Sequence, residues 1–297
     1  MKQRKYKKQL GLYALILPAI IYVLIFSYGP MYGVIMAFEN FKPKLGYLGS
    51  EWVGLKHFER FLSHPDFWKM LKNTISISLY SLATFPCAII LALMLNEVKS
   101  SKFKKLVQMV TYAPHFLSTV VVCSLVTMLM GREGILGILY GMVTGRAENI
   151  LTLPNFFNDI YVWSGVWQSL GWSTIIYLAA LAGISNELIE SAKIDGANRM
   201  QVIWHINIPG ILPTIITLLI MSTGSVLSVG FEKIYLLQND LNLEASRVLS
   251  TYVYEVGLQG GQFSYSTAIG LFNNVVEIIM IFICNKVAKI VSGVGIF

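Results

Sequence analysis

Charge is scarce in this sequence. Only 13% of its 297 residues are Asp, Glu, Lys or Arg, where a water-facing domain carries about 25%. Apolar residues make up 55%, for a mean hydropathy of +0.61, which excludes ordinary soluble enzymes and disordered chains. Cysteine is scarce too. Cys87, Cys123 and Cys284 each lie inside a long apolar run, with no Cys or His at metal-ligand spacing, so a secreted disulfide scaffold and a zinc site are also excluded. No Gly-Lys dipeptide occurs, hence no G-x-x-x-x-G-K-[ST] phosphate loop, and any ATP-driven work falls to another subunit. The histidines, His57, His64, His115 and His205, form no H-E-x-x-H pair, and His115 beside Pro114 reads as a helix-end residue. Ser222 and Ser225 flank Gly224, but no histidine is placed to activate either, which leaves no nucleophile and base for hydrolysis inside a membrane.

What the sequence does have is six uncharged runs near the ~20 residues needed to cross a bilayer: Leu10–Phe38, Asn73–Leu95, Leu106–Met130, Ile160–Ile184, Pro209–Ser228 and Ser266–Cys284. Glu277 is the single Asp, Glu, Lys or Arg inside any of them. In lipid only helices and closed barrels satisfy the backbone, and these runs lack the alternation of barrel strands. The prediction is an all-α polytopic bundle of six transmembrane helices, with residues 10–297 as a single transmembrane domain. The first run would extend roughly 43 Å as a helix, and Pro18 with Tyr28-Gly29-Pro30 is expected to break or kink it. Residues 1–9 form a basic preface, Lys2, Arg4, Lys5, Lys7 and Lys8. No small-residue cleavage site follows a short apolar core, so the run reads as an uncleaved first span.

With the preface in the cytoplasm, residues 96–105, 185–208 and the C-terminal tail are also inside. Lys and Arg then number 13 among 56 inside residues and 10 among 100 outside, the sign of the positive-inside rule. The chain's excess of 23 basic over 16 acidic residues is thus a topology signal rather than a nucleic-acid footprint. Residues 39–72 run against the trend, with Lys42, Lys44, Lys56, Arg60, Lys69 and Lys72 outside. Leu55, Phe58, Phe61 and Leu62 recur there at helical spacing, predicting an amphipathic helix at the outer lipid interface. The apolar stretch from Gly134 to Gly145 is too short to span and is expected against the outer surface.

The longest cytoplasmic segment has the most local structure. Ser185 or Asn186 caps a helix whose first turns carry Glu187 and Glu190 near the positive end of its dipole. Asp195-Gly196 ends it, glycine supplying a left-handed backbone. A second helix follows with Met200, Ile203, Trp204 and Asn207 on one face, and is expected to end or bend at Pro209. Two short helices at a glycine elbow make either a knob or a solvated loop with one helix resting on headgroups.

This segment resembles the Glu-Ala-Ala loop of bacterial ABC importer permeases, whose pattern is E-A-A, D-G-A, I-x-L-P and a later Pro. Glu190, Ala192, Asp195, Gly196, Ala197, Ile206, Pro209 and Pro213 match it; Ser191 replaces the middle Ala and Ile208 the usual Leu. Leu17-Pro18-Ala19, Gly54 to Phe58, Phe67-Trp68 with Asn73-Thr74, Trp167 to Gly171, Phe231 to Leu237 and Tyr252 to Glu255 look like the maltose-type carbohydrate-uptake branch. Tyr28 to Gly33 and Phe38 to Phe41 are most similar to its polysaccharide-permease subgroup. The resemblance implies a type I ABC importer permease in the bacterial plasma membrane, with both termini cytoplasmic. It implies pairing with a second homologous permease, docking of residues 185–208 on two ATPase subunits that hold ATP and Mg, and delivery of a carbohydrate by an extracellular solute-binding protein. No cofactor is expected in this chain. Glu190 and Asp195 then either pair with basic groups of an ATPase or only cap and end their helix.

A sugar pathway needs aromatic faces and uncharged or acidic hydrogen-bonding groups. Trp163, Trp167, Gln168 and Trp172 of the fourth run, Ser222, Ser225 and Ser228 of the fifth, and Asn273, Asn274 and Glu277 of the sixth are the candidates. The competing roles are interfacial anchoring for the tryptophans and close helix packing for the serines. Glu277 at membrane depth should face protein or water, serving the sugar or holding the second permease. It also permits an alternative, a six-span secondary transporter coupled to an ion.

Overall fold

The computed structural model describes residues 2–223 and 229–292. By length and composition, five described helices are long and apolar enough to cross a membrane. The count is six when Pro154–Ala182 is joined to Asn186–Ile194, to which it is bent by 72°. The chain divides into two compact units, residues 1–65 with 253–272 and residues 66–252 with 273–297.

The first unit opens with helix Lys2–Val23, which runs through Pro18. Of the two expected irregularities, the one at Tyr28-Gly29-Pro30 is present as the wide turn Leu24–Tyr28 just ahead of Pro30, whose missing N–H removes a bond from that turn. Large apolar side chains such as Leu15 and Phe26 are exposed all round this run. A minimal hairpin follows, pairing Glu39–Asn40 antiparallel with Glu51–Trp52, and Phe38 stacks on Trp52 at 5.6 Å. Helix Lys56–Leu62 buries one face carrying His57 and Phe61; Leu55 and Leu62, expected at the outer lipid interface with Phe61, are exposed in this chain, and Phe61 is not. The i, i+4 pair His57 and Phe61 takes that face because the His57 ring hydrogen-bonds to the Glu39 carbonyl at 3.1 Å and Phe61 meets the edge of Phe272 at 5.5 Å.

The second unit is organised by the fourth-span helix, Phe157–Ala182. Towards its C-terminus Tyr177 and Leu181 pack with Ala88, Ala92 and Leu93 of helix Pro86–Glu97 and with Ile211. Towards its N-terminus Phe157 and Ile160 pack with Ile77, Val122, Cys123, Ile234 and Leu237. Between the two clusters, Gly171 lets the third-span backbone come close: a Cβ there would lie 2.2 Å from the Thr111 carbonyl oxygen. The third run is not one rod. Helix Ser101–Tyr112 gives way to a tight turn at Ala113–Phe116, and Ser118 caps a new helix, Thr119–Met130. Pro114 denies the first helix a donor and Ser118 Oγ accepts from Val121 N–H, so ending one helix and starting another is cheaper than continuing. Beyond Met130, helix Ile135–Thr144 closes on Gly145 at φ +78°, with Met142 and Val143 exposed.

Candidate functional site

Residues 185–208 begin with two helices at an elbow. Ser185 Oγ accepts from Glu187 N–H at 3.2 Å and caps helix Asn186–Ile194. Its last turn is closed by Asp195 N–H to Ser191 O and Ala197 N–H to Ala192 O, with Gly196 at φ +84°. That value lies in the region only glycine enters without penalty. Asn198 and Gln201 then cap each other's backbone reciprocally at the start of Arg199–Val202. The second helix does not end at Pro209. A wide turn at Ile203–Asn207 carries it into Ile208–Thr223, so the adjustment precedes the proline and the rod continues past Pro213.

Nor do its apolar residues share one face. Asn207 is buried and Ile203 packs into the core, whereas Met200 and Trp204 are exposed. The wide turn adds a residue between Ile203 and Asn207 and breaks the expected register. Leu188 and Ile194 are exposed as well. Glu190 and Asp195 are exposed, and neither makes an ion pair among the described residues. Ala192, Asp195, Gly196 and Ala197 line a recess of about 270 Å³ inside the elbow with Gln201 and His205. Pro209 and Pro213 lie exposed beyond it.

A cavity of about 410 Å³ lies within the second unit, between the second, fourth and fifth spans. Its wall combines the hydroxyls of Ser78, Ser81, Thr84, Ser169, Ser173 and Ser222 with the rings of Phe85, Tyr161, Trp172 and Tyr177, and no charged residue contributes. Trp172 also stacks face to face on His115 at 4.5 Å, with Phe116 at its edge.

Of the pathway candidates, Trp172 and Ser222 come together in this wall. Gln168 instead donates its side-chain N–H to the Leu117 carbonyl at 3.1 Å, holding the third-span break. Trp163 donates its indole N–H to Tyr80 Oη at 3.0 Å, and Tyr80 donates to Asp159 at 2.7 Å. Trp167 is half exposed outside the cavity. Asn273, Asn274 and Glu277 lie on helix Phe263–Ser292, also outside it. Ser225 and Ser228 lie outside the described residues. Sequence reading missed Ser169 and Ser173, though their i, i+4 spacing around Trp172 is the signal that marks one wet helix face. His115 does stand at a helix end, in the turn Ala113–Phe116, but its stack on Trp172 needed the third-span break, which sets two segments side by side.

At the end of the cavity lined by Tyr161 and Gly230, Lys233 of helix Phe231–Leu237 is buried. Its Nζ donates to the Tyr161 carbonyl at 2.7 Å and stands 4.8 Å from the Tyr161 ring centroid. Burial pushes its pKa down to about 8. Among the described residues no group of three His, Cys, Asp or Glu side chains converges as a metal site.

Residues 84–289 match the family described as binding-protein-dependent transport system inner membrane component. The chain is 46% identical to the polygalacturonan/rhamnogalacturonan transport system permease protein YteP of Bacillus subtilis (strain 168), covering 99% of this chain and 91% of that protein. It is 43% identical to protein LplB of the same organism, over 98% and 92% of the two chains. Among solved structures it matches a chain of a bacterial ABC transporter for import of the acidic polysaccharide alginate at TM-score 0.88 and 40% identity, over 98% and 99% of the chains. A second such match is to the alginate transporter in complex with an alginate pentasaccharide-bound periplasmic protein, at TM-score 0.89 and 39% identity over 99% of both chains. These likenesses leave the ion-coupled secondary-transporter alternative without support. This chain is therefore a member of the binding-protein-dependent transport system inner membrane component family, a multi-pass membrane permease of the ABC importer type.

Proposed function

We propose that this chain forms one half of the translocation pathway of a binding-protein-dependent ABC importer for a carbohydrate, an oligosaccharide or polysaccharide fragment. The reading is carried by the capped, glycine-elbowed knob at residues 185–208, which exposes Leu188, Ile194, Met200 and Trp204 on a chain whose relatives and structural neighbours are named as saccharide permeases. Exposed large apolar side chains beside Glu190 and Asp195 suit a groove on a partner protein better than bare solvent. The partner is one of two ATPase subunits, which hold the ATP and Mg. A second homologous permease completes the pathway, and an extracellular solute-binding protein delivers the sugar. Both termini and the knob lie in the cytoplasm.

Within the pathway Trp172 and Ser222 face the sugar, with His115 and the Ser169 and Ser173 hydroxyls beside them. Single-cysteine labelling from outside should modify Asn149→Cys and spare Asn198→Cys; the reverse pattern would overturn the orientation. Replacing Gly196 by Val places a β-branched residue at positive φ, costing about 1–2 kcal/mol, and should abolish saccharide-stimulated ATP hydrolysis by the reconstituted complex while the chain still inserts. Full stimulation in that variant would remove the knob from the coupling role.

A further inference from the structure

The cavity wall is uncharged, yet a buried cation stands one side chain behind it. Lys233 is 9% exposed. Its ammonium occupies the space left by Gly165, where an added Cβ would come within 3.1 Å of Nζ. Tyr161, which receives its hydrogen bond, is a wall residue, and the Tyr161 hydroxyl lies 3.2 Å from where a Cβ on Gly230, another wall residue, would sit.

No carboxylate answers this charge. Neither ion pair among the described residues includes Lys233, and residues 224–228 contain no acid. The groups facing it are Cys123 of helix Thr119–Met130, whose thiol contacts the Lys233 carbonyl at 3.9 Å, and Tyr161 of the fourth span; Glu232 on its own helix is exposed. A carbonyl dipole and an aromatic face stabilise an ammonium without cancelling it. In low-permittivity surroundings its field therefore extends into the adjacent cavity. Packing alone would be served by Met or Leu, which carry no desolvation cost.

We propose that Lys233 makes the cavity selective for an anionic saccharide, a uronate-bearing oligosaccharide, over its neutral counterpart. This rests on the carbohydrate reading above and names the class within it. The lysine acts through space and through the position of Tyr161, and it is a specificity-determining residue.

The experiment uses the complete transporter in proteoliposomes with saturating binding protein. The readout is the ratio of uptake rates for an oligogalacturonate and its carboxyl-reduced neutral form. Lys233→Met should lower that ratio about tenfold, the size of one charge pair across about 12 Å at an effective permittivity near 20. Lys233→Arg should largely keep it, and the melting temperature of Lys233→Met should hold or rise because a buried charge is gone. In the unmodified protein the ratio should fall as pH rises from about 7 to about 9, as Lys233 loses its proton while the uronates stay ionised. This arm needs no variant and survives a Lys233→Met that fails to assemble. A ratio unchanged in Lys233→Met, or flat with pH in the unmodified protein, overturns the proposal. Equal loss of both substrates with a lowered melting temperature also overturns it, in favour of a structural clamp. Uptake of neither saccharide by the unmodified transporter counts against the carbohydrate reading itself, and the charge preference falls with it.

Discussion

The first span is apolar enough to cross a membrane on its own, the fourth only when Pro154–Ala182 is joined to Asn186–Ile194, and the two differ as sharply in how they are packed. The first carries its large side chains exposed on all sides through Leu12–Tyr32. The fourth is held by two packed clusters, a glycine contact and hydrogen bonds donated to Tyr80 and the Leu117 carbonyl and accepted from Lys233. Hydropathy measures the tendency to leave water and says nothing about what takes its place. A span that meets lipid or another subunit and a span that organises a core can both be apolar, because lipid and protein interior are equally dry. What separates them is small and polar residues: helix Phe157–Ala182 has Gly165, Gly171 and a series of Ser and Thr at close approaches, and the first run has leucine, isoleucine and tyrosine there.

The contrast is broken most severely at Gly171. Leucine there would drive into the Thr111 backbone, costing about 3 kcal/mol or more. Detergent-solubilised protein should lose its folded fraction, and a melting temperature near that of the parent would show the close approach to be dispensable. A smaller effect is expected at the cavity wall. Trp172→Ala removes the His115 stack and should reduce uptake about tenfold, the scale of one lost aromatic contact near 1.4 kcal/mol, while thermal stability stays near that of the parent because the ring is half exposed. Unchanged uptake would take Trp172 out of the pathway.

A pH experiment reads the first unit alone. Burial, with Arg60 and Lys56 nearby, holds the His57 pKa below 6.5. The native ring then binds fewer protons than the unfolded one between its lowered pKa and 6.5, so stability falls as pH drops through that window. Amide exchange in helix Lys56–Leu62 should be faster at pH about 5.5 than at about 7.5, and His57→Asn should flatten the difference. The smallest effect belongs to the first span, where Leu15→Ala should change the stability of the isolated subunit by less than about 0.5 kcal/mol. A loss several times larger would mean that this face is already packed within the chain.

The same distinction governs how much could be read from the sequence. Spans and knob were legible because their causes are local: Ser185 caps the helix after it, Gly196 breaks that same helix at its end, and an uncharged run is its own evidence. The second helix was misjudged at its far end because Pro209 can stop a helix or widen a turn, and neighbouring packing decides which. The buried Asn207 and the core contacts of Ile203 choose the wide turn. Likewise Phe61 shares helical spacing with Leu55 and Leu62, but it turns inward beside His57, whose ring reaches the Glu39 carbonyl. The cavity was half legible. Trp172 and Ser222 carry a chemical signature, whereas the meeting of His115 with Trp172 and of Lys233 with Tyr161 joins residues far apart in sequence and leaves no local trace.

The wide turn ahead of Pro209 has a mechanical meaning. By admitting the proline without a break it leaves Arg199–Thr223 as one rod of 25 residues, roughly 37 Å long. A loop at that point would have absorbed any push on the knob as local bending. A rod would act as a lever instead, and turning its Arg199 end through about 5° would sweep the opposite tip by roughly 3 Å over that length. That is about the width of a water molecule, delivered beside Ser222 in the cavity wall.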